Sequence, residues 1–322
     1  GGTVSYTENG SAVVLDSNVR IYDTELSAAN NFNGATLTLL RSGGASAQDV
    51  FSATGNLAAL TQGGNLVLSG VTVGTVTTHS AGTLLLTFNS SATQARINEV
   101  MNSIAYANSS DTPPASVVIN WTLNDGNTGA QGTGGALTAT GSTTVSITAV
   151  NDAPVVTTTG TALAYTENAA ATAVDSGLTV SDVDTATLAS ATVSITSGFV
   201  TGQDTLAFTN QNGITGSWNA GTGVLTLTGS ATLANYQSAL RSVTYVNSSE
   251  APSTVTRTVS FVTSDGSASS AAATRDISVT AVNDAPVVTT TGSALAYTEN
   301  DAATAVDSGL TVSDVDTATL AS

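Results

Sequence analysis

One eight-residue stretch occurs twice without change and divides the chain. Residues 149–156 read AVNDAPVV, and the same letters return 132 positions later at residues 281–288. The similarity continues behind each copy, because residues 149–190 and 281–322 differ at only two of 42 positions. Proline fixes its own φ and disfavours helix in the residue before it, and Asn-Asp ahead of it favours a bend. The repeat therefore predicts a tandem array of domains joined by stiff hinges.

A diverged copy of the same unit opens the chain. SYTENGSAVVLDSNVRIYDTE at residues 5–25 aligns with AYTENAAATAVDSGLTVSDVD at residues 164–184. INWTLNDG at residues 119–126 aligns in the same way with VSFVTSDG at residues 259–266. The last stretch of the chain is too short to bury a core without help. The predicted domains are residues 1–150, residues 151–282 and, as the truncated start of a third repeat, residues 283–322.

The charge balance and the missing residue types exclude several classes of function. The chain has 23 acidic residues against six arginines, a formal net charge of −17, and neither lysine nor cysteine. Such a surface disfavours binding to nucleic acid or to anionic membranes. Disulfides and lysine-based isopeptide cross-links cannot form. Because only 9% of the residues are charged and the acids recur at fixed positions, they are more typical of placed ligands than of a solvating tail.

Short apolar and threonine-rich runs alternate with Gly, Asn, Asp and Ser along the whole chain. This pattern predicts many short antiparallel strands and an all-β fold of Greek-key β-sandwiches with about seven or eight strands each. In the first domain the clearest strands are residues 35–40, 65–73, 83–88, 116–123 and 143–150. In the second domain they are residues 191–196, 204–209, 223–229, 254–263 and 275–282.

One segment in each domain has the periodicity of a helix instead. Residues 92–106 and 231–245 place apolar side chains three and four positions apart, which favours a short helix packed on the core. The apolar positions are Ile97, Val100, Met101 and Ile104 in the first domain, and Leu233, Tyr236 and Leu240 in the second.

Acidic side chains recur at equivalent places in each copy. The YTEN motif puts a glutamate in the predicted first strand, and the later YDTE and SDVD segments put two acids at i and i+2, where strand side chains share a face. With Asn and Asp of the hinge they form the all-oxygen ligand set that Ca²⁺ prefers. The alternative is that these residues only cap turns. The glutamates are Glu8, Glu167 and Glu299, and the pairs are Asp23 with Glu25, Asp182 with Asp184, and Asp314 with Asp316.

The order of these motifs resembles the cadherin repeat. YTEN, SDVD, the SDG loop and the AVNDAPVV joint occur in phase, and they are similar to the glutamate, Asp-X-Asp, Asp-Gly and linker motifs that build calcium sites between cadherin domains. With the SVTYVNSS segment at residues 242–249, they look most like the cadherin-like repeats of large bacterial surface proteins, such as repeats-in-toxin adhesins and biofilm-associated proteins. The resemblance covers nearly the whole chain and implies cadherin-like, immunoglobulin-like sandwiches with Ca²⁺ at their joints.

The resemblance also implies which residues bind the metal. Alanine stands at positions 149 and 153, where the animal linker has further oxygen ligands, so one or two ions per joint are expected instead of three. The first joint would use Glu8, Asn151, Asp152, Asp182, Asp184 and Asp265. The second joint would use Glu167, Asn283, Asp284, Asp314 and Asp316. Asp23, Glu25 and Asp125 would face a linker ahead of the first domain.

Catalytic arrangements are poorly supported by the sequence. His79 is the only histidine, and the equivalent position of the second domain is Trp218, so a side chain in a hairpin is favoured over a general base. Without it, no set of nucleophile, base and orienting residue can be assembled. Neighbouring acids on one strand face, such as Asp182 and Asp184, do not flank a substrate as glycosidase carboxylates do. The chain is therefore predicted not to be an enzyme.

These observations predict an extracellular, cell-surface structural spacer of a bacterial adhesin or matrix protein, with calcium rigidifying its interdomain linkers. One alternative is the subunit of a self-assembling extracellular filament or sheath, with strands exchanged between chains. Another is a carbohydrate-binding module, although Trp121 and Trp218 both lie in strand-like contexts that do not favour an exposed aromatic platform. The expected partners are neighbouring repeats of the same chain and, in a fibre, other copies of it, with no nucleic acid and no membrane insertion.

Overall fold

A computed structural model describes residues 1–320. The chain divides into two compact units, Gly1–Asn151 and Asp152–Ser322. Residues 283–322 fall within the second unit, and their assignment as the start of a third domain stays a prediction. In the described part of the chain, no helix has the length and apolar character needed to span a membrane.

The first unit is built from two sheets and two helices. The larger sheet has the strand order β1-β10-β9-β3-β7-β6-β5, and the smaller has the order β2-β8-β4. Strand β1 runs parallel to β10, and the other neighbours are antiparallel. The elements are β1 (Thr3–Thr7), β2 (Val13–Val14), α1 (Thr24–Ala29), β3 (Thr36–Arg41), β4 (Asp49–Ala53), β5 (Asn65–Leu68), β6 (Val71–Ser80), β7 (Thr83–Phe88), α2 (Gln94–Asn102), β8 (Ile104–Asn108), β9 (Ser116–Asn124) and β10 (Thr138–Thr148).

The second unit also has two sheets, but it has one helix and adds two small ribbons. Its sheets have the orders β12-β21-β20-β15-β18-β17 and β13-β19-β16, and the ribbons pair β11 with β14 and β22 with β23. The elements are β11 (Val155–Thr157), β12 (Leu163–Thr166), β13 (Thr172–Ala173), β14 (Thr179–Ser181), β15 (Thr187–Ser197), β16 (Asp204–Ala207), β17 (Thr215–Asn219), β18 (Val224–Thr232), α3 (Leu233–Arg241), β19 (Thr244–Asn247), β20 (Arg257–Ser264), β21 (Ala273–Thr280), β22 (Val287–Thr289) and β23 (Thr311–Ser313).

Each unit has its core between the two sheets. In the first unit, Leu37 and Leu39 of the larger sheet and Phe51 and Tyr106 of the smaller sheet belong to one buried cluster. Alternate residues of β7 are buried, as expected when one face of a strand packs inward. The predicted all-β sandwich is confirmed.

The helices at residues 94–102 and 233–241 lie within the segments that the periodicity predicts. Thr93 and Thr232 cap them, since each hydroxyl accepts a hydrogen bond from a first-turn N–H. Their buried side chains are Ile97, Val100 and Met101 on α2 and Tyr236, Ala239 and Leu240 on α3. Both helices therefore pack an apolar face on the core.

Two local features differ from the sequence interpretation. Residues 65–73 form two strands, β5 and β6, because Ser69 and Gly70 have φ of 49° and 79° and make a turn between them. The first unit also has a further helix, α1, which the sequence does not predict. Oδ1 of Asp23 accepts hydrogen bonds from the N–H groups of Glu25 and Leu26 and so caps this helix.

A buried polar network occurs at equivalent places in both units. In the second unit, Oδ1 of Asp204 accepts hydrogen bonds from the Tyr245 hydroxyl at 2.6 Å and from Nδ2 of Asn247 at 2.7 Å. Nε of Arg257 lies 3.3 Å from the same oxygen, and both charged side chains are completely buried. In the first unit, Asp49 is held in the same way by Tyr106, Asn108 and Arg41. The aspartate thus has a cation partner in both units.

The arginine of this network comes from different strands in the two units. Arg41 is the last residue of β3, whereas Arg257 is the first residue of β20. Strands β3 and β9 are antiparallel neighbours in the first unit, as β15 and β20 are in the second. The end of one strand and the start of the next therefore lie side by side, and either position can supply the positive charge.

Candidate metal centre

In the first two YTEN motifs the glutamate follows the first strand of its sandwich and is buried, whereas Glu299 of the third motif is exposed. Glu167 is 5% exposed and Glu8 is 3% exposed. Oε2 of Glu167 accepts a 2.7 Å hydrogen bond from the N–H of Val282, and Oε2 of Glu8 accepts one of equal length from Val150. Within the described residues, Oε1 of both glutamates is buried without a hydrogen-bond partner. Each therefore retains one carboxylate oxygen that could bind a cation.

Three carboxylates of the second unit converge at the hinge. Ligand oxygens of Glu167, Glu250 and Asp284 all lie within 4.8 Å of one another. Oδ2 of Asp284 is buried and has no hydrogen-bond partner among residues 1–320. The three ion pairs found in that range are Arg41–Asp49, Arg257–Asp204 and Arg275–Asp175, so no arginine there pairs with this cluster. The group has the hard, oxygen-only character that suits Ca²⁺.

The SDVD segment at residues 313–316 contacts the hinge beside this cluster. The N–H of Asp284 donates a 2.5 Å hydrogen bond to Oδ2 of Asp316. Oδ1 of Asp314 accepts hydrogen bonds from the N–H groups of Asp316 and Thr317 at 2.9 and 3.1 Å. The first acid therefore shapes the turn, and the second holds the hinge backbone.

The equivalent segment near the start of the second unit has the same geometry. The N–H of Asp152 donates to Oδ2 of Asp184 at 3.0 Å, and Oδ1 of Asp182 accepts from Asp184 and Thr185. These acids lie in a turn directly after β14, so the prediction that they share one face of a strand is wrong. The turn-capping alternative accounts for one oxygen of Asp182. Its Oδ2 is buried and has no hydrogen-bond partner in the described range.

The electrostatics of the cluster favour a positive ion. Desolvation raises the pKa of Asp284 above its ordinary value, and the negative charges of Glu250, Asp316, Glu167 and Asp314 raise it further. Desolvation likewise raises the pKa of Asp182, while the hydrogen bond from the Asp152 N–H lowers that of Asp184. A bound cation would relieve the repulsion among ionised carboxylates.

Glu250 is a member of the cluster that the sequence interpretation missed. It is exposed, lies in the loop after β19, and accepts a 3.0 Å hydrogen bond from Nδ2 of Asn168. The corresponding loop of the first unit carries Asp111, an oxygen of which lies within 4.8 Å of one of Glu8. The signal was present in the sequence, since NSSD at residues 108–111 and NSSE at residues 247–250 place an acid at equivalent positions.

Three predicted ligands at the front of the first unit lie around one open cleft. Asp23, Glu25 and Asp125 line this cleft of about 510 Å³. Asp23 and Glu25 lie at the start of α1, so their predicted placement on a strand face is wrong, as it is for Asp182 and Asp184. Oδ1 of Asp125 accepts hydrogen bonds from the N–H groups of Asn127 and Leu137. The cleft brings the three acids together, but one oxygen of Asp23 and one of Asp125 already stabilise local structure.

The remaining predicted residues lie in turns or hinges. Oδ1 of Asp265 accepts from the N–H groups of Ser267 and Ala268 in the turn of the SDG loop. Asn151 is the last residue of the first unit. Nδ2 of Asn283 donates to the carbonyl oxygen of Asp284 at 2.8 Å. Metal binding by each of these residues stays a prediction.

His79 makes contacts typical of a structural side chain. Its Nδ1 lies 2.9 Å from the carbonyl oxygen of Leu60, and its Nε2 lies 2.8 Å from that of Phe51. Both ring nitrogens therefore face backbone acceptors. This arrangement agrees with the structural role that the sequence favours.

Comparisons with known proteins give one partial sequence match and several remote structural ones. No family model matches the chain. Over 113 residues it is 41% identical to halomucin of Haloquadratum walsbyi, a match that spans 34% of this chain and 1% of halomucin. Human CDH23 EC21-23 is similar over 98% of this chain and 78% of that chain, with 13% identity and a TM-score of 0.33. Drosophila N-cadherin EC1-4 is similar over 89% of this chain and 50% of that chain, with 11% identity and a TM-score of 0.29.

Proposed function

We propose that this chain is a non-enzymatic, extracellular structural spacer of a bacterial surface adhesin or matrix protein, with hinges rigidified by Ca²⁺. One observation carries the proposal: Glu167 gives one carboxylate oxygen to the hinge backbone and keeps the other buried and, among the described residues, unpartnered, and a carboxylate oxygen of Glu167 lies within 4.8 Å of ligand oxygens of Glu250 and Asp284. The partial match to halomucin supports a surface location. The partners within the chain would be its neighbouring repeats.

The ligand set explains how a cation would stiffen the hinge. Glu167 follows the first strand of the sandwich, Glu250 belongs to the loop after β19, and Asp284 belongs to the hinge itself. An ion bound by all three would fasten the hinge to two separate parts of the sandwich. Extracellular modules bind Ca²⁺ with dissociation constants of about 10⁻⁴–10⁻³ M. Calcium at extracellular concentrations would therefore hold the hinge in one conformation.

Calorimetric titration of the whole chain with CaCl₂ tests this proposal. Glu167→Gln keeps the size of the side chain and an oxygen that can accept from Val282, but it removes the negative charge. We expect this variant to bind fewer calcium ions than the parent chain. Glu99→Gln is the matched control, because Glu99 lies on α2 and its carboxylate accepts a hydrogen bond from Asn56. Equal stoichiometry and affinity in the parent and Glu167→Gln would contradict the proposal.

A further inference from the structure

The chain makes a tight turn directly after β12, and Asn168 is its third residue. The N–H of Ala169 donates to the carbonyl oxygen of Thr166 at 3.0 Å, and Asn168 has φ of 61°. A positive φ at the third position is typical of a type II turn, where glycine and asparagine are favoured. The turn therefore accounts for the backbone of Asn168, but it makes no use of the side-chain amide.

The side-chain amide of Asn168 binds the carboxylate of Glu250. Its Nδ2 donates a 3.0 Å hydrogen bond to Oε2 of Glu250, a residue 82 positions later in the chain. Glu250 is exposed, and an exposed glutamate without such a contact samples several rotamers. The hydrogen bond restrains the carboxylate through one oxygen and leaves the other for a ligand.

A buried tyrosine holds the turn next to the loop that carries Glu250. Tyr165 is 1% exposed, and its hydroxyl lies 2.8 Å from the carbonyl oxygen of Ala169 and 3.2 Å from that of Asn247. The side chain of Asn247 shapes the loop, because its Oδ1 accepts a 3.0 Å hydrogen bond from the N–H of Ser249. Groups other than Asn168 thus keep the two segments together, so loss of its amide should leave the loop in place.

The restrained carboxylate lies beside a buried oxygen that lacks a partner. Ligand oxygens of Glu167, Glu250 and Asp284 lie within 4.8 Å of one another. Glu167 is 5% exposed, and its Oε1 is buried without a hydrogen-bond partner among the described residues. Removal of a carboxylate oxygen from water is costly unless it gains a partner. This oxygen therefore points to a cation independently of the number of acids nearby.

The first unit has the same turn but not the same side-chain contact. The N–H of Gly10 donates to the carbonyl oxygen of Thr7 at 2.9 Å, and Asn9 has φ of 57°. The loop acid is Asp111, which is one methylene shorter than Glu250, and no hydrogen bond joins it to Asn9 in the described part of the chain. The asparagine of YTEN thus shapes the turn in both units and contacts the loop acid only in the second.

We propose that Asn168 is a positioning residue of the calcium site, which holds Glu250 in the orientation that binds the ion together with Glu167. Because the carboxylate is restrained before the ion arrives, less side-chain entropy is lost on binding. Hydrogen bonds to metal ligands orient them in this way and commonly raise metal affinity. Since Glu250 belongs to the metal cluster, this role of Asn168 rests on the proposed function and adds a residue that sets the affinity of the same site.

The substitution Asn168→Gly separates the positioning role from the turn, because glycine adopts a positive φ without strain. Calorimetric titration of the whole chain with CaCl₂ should show binding about three- to tenfold weaker at the site that Glu167→Gln abolishes, as expected for the loss of one hydrogen bond. Melting in chelator should match that of the parent chain. Asn9→Gly is the matched control, since it makes the same change in the equivalent turn and should leave this affinity unaltered. Equal affinity in the parent chain and Asn168→Gly would overturn the proposal.

The substitution Glu250→Ala tests whether Asn168 acts through this glutamate. Alone it should weaken the same site, because one negatively charged ligand is lost. In the Glu250→Ala background, Asn168→Gly should cause no further loss of affinity, since two residues that act through one contact are not additive. A general structural effect of Asn168 would instead add to that of Glu250→Ala, and additive losses would overturn the proposal.

The same titrations distinguish failure of the positioning role from failure of the proposed function. Calcium binding that requires Glu167 but is unaffected by Asn168→Gly would refute the role of Asn168 and leave the proposed function intact. A parent chain that binds no calcium would refute both.

Discussion

The N–H of Val282 donates a 2.7 Å hydrogen bond to Oε2 of Glu167, so the start of the hinge is attached to the end of the first strand of the sandwich. The same bond, with the same length, joins Val150 to Glu8 in the first unit. In each case the second carboxylate oxygen is buried and has no hydrogen-bond partner within the described residues. The glutamate thus orders the hinge with one oxygen and leaves the other for a ligand.

Calcium should raise the thermal stability of the chain. A ligand that binds only the folded state at about ten times its dissociation constant stabilises that state by about 1.4 kcal/mol. For units of this size, such a gain raises the melting temperature by a few degrees, about 2–8 °C. Differential scanning calorimetry in millimolar CaCl₂ and in chelator measures the shift. Superimposable curves would exclude a calcium site, and MgCl₂ serves as the control for ionic strength.

The double substitution Asp314→Asn with Asp316→Asn should separate metal binding from turn formation. Asparagine retains an oxygen that can accept the hydrogen bonds now made by both aspartates. Two negative charges beside Asp284 are lost, so we expect calcium affinity to fall by about tenfold or more, a change of at least 1.4 kcal/mol. Titration calorimetry gives the affinity, and melting in chelator should be unchanged. Asp301→Asn is the control in the same repeat, and unaltered affinity in the double variant would count against the site.

Acid should stabilise the calcium-free cluster at Asp284. Its pKa is raised above the ordinary value of 3.8, first by desolvation and then by neighbouring carboxylates. A raised folded-state pKa gives a favourable contribution that is complete below the unfolded pKa and is lost as the pH rises through the folded pKa. Asp284→Asn removes this titration. In chelator the variant should therefore melt higher than the parent at pH 7, and the difference should shrink below pH 3.8. A variant that melts lower at pH 7 would refute this electrostatic account.

Loss of the buried aspartate in the second unit should destabilise that unit alone. Asp204→Ala leaves the fully buried guanidinium of Arg257 without its carboxylate. Breaking a buried ion pair by removing one partner costs about 3–5 kcal/mol. Calorimetry should show a lower melting temperature for the second unit, with the transition of the first unit unaltered. Asp276→Ala, on the exposed side of β21, is the control. An effect no larger than that of the control would show that the network adds no stability.

Local patterns in the sequence were sufficient for the fold class and for most elements. The alternation of residues 83–88 predicts β7 with its observed bounds, and the helical spacing at residues 92–106 predicts α2. These patterns work because a strand or helix exposes side chains at a period set by its own backbone. The resemblance of the YTEN and AVNDAPVV motifs to the cadherin repeat likewise implies that Glu167 and Asp284 belong to one site. Binding of metal by these residues stays a prediction.

Other features depend on contacts between residues far apart in the chain. Glu250 joins Glu167 and Asp284 only because the fold brings the loop after β19 to the end of β12, where Nδ2 of Asn168 donates a hydrogen bond to Glu250. The aligned segments at Asp23 and Asp182 form a helix cap and a turn, respectively. The difference depends in part on Leu26, whose burial stabilises the helix.

The segment APVVTTT shows most clearly what the sequence determines and what only the tertiary structure decides. Its sequence determines an extended, proline-containing strand in both copies, and each copy forms a three-residue ladder, β11 or β22. Only the tertiary structure decides that Val156 is buried. The physical reason is that strand geometry follows from the backbone preferences of a few residues, whereas burial requires the rest of a sandwich to provide the opposing apolar surface.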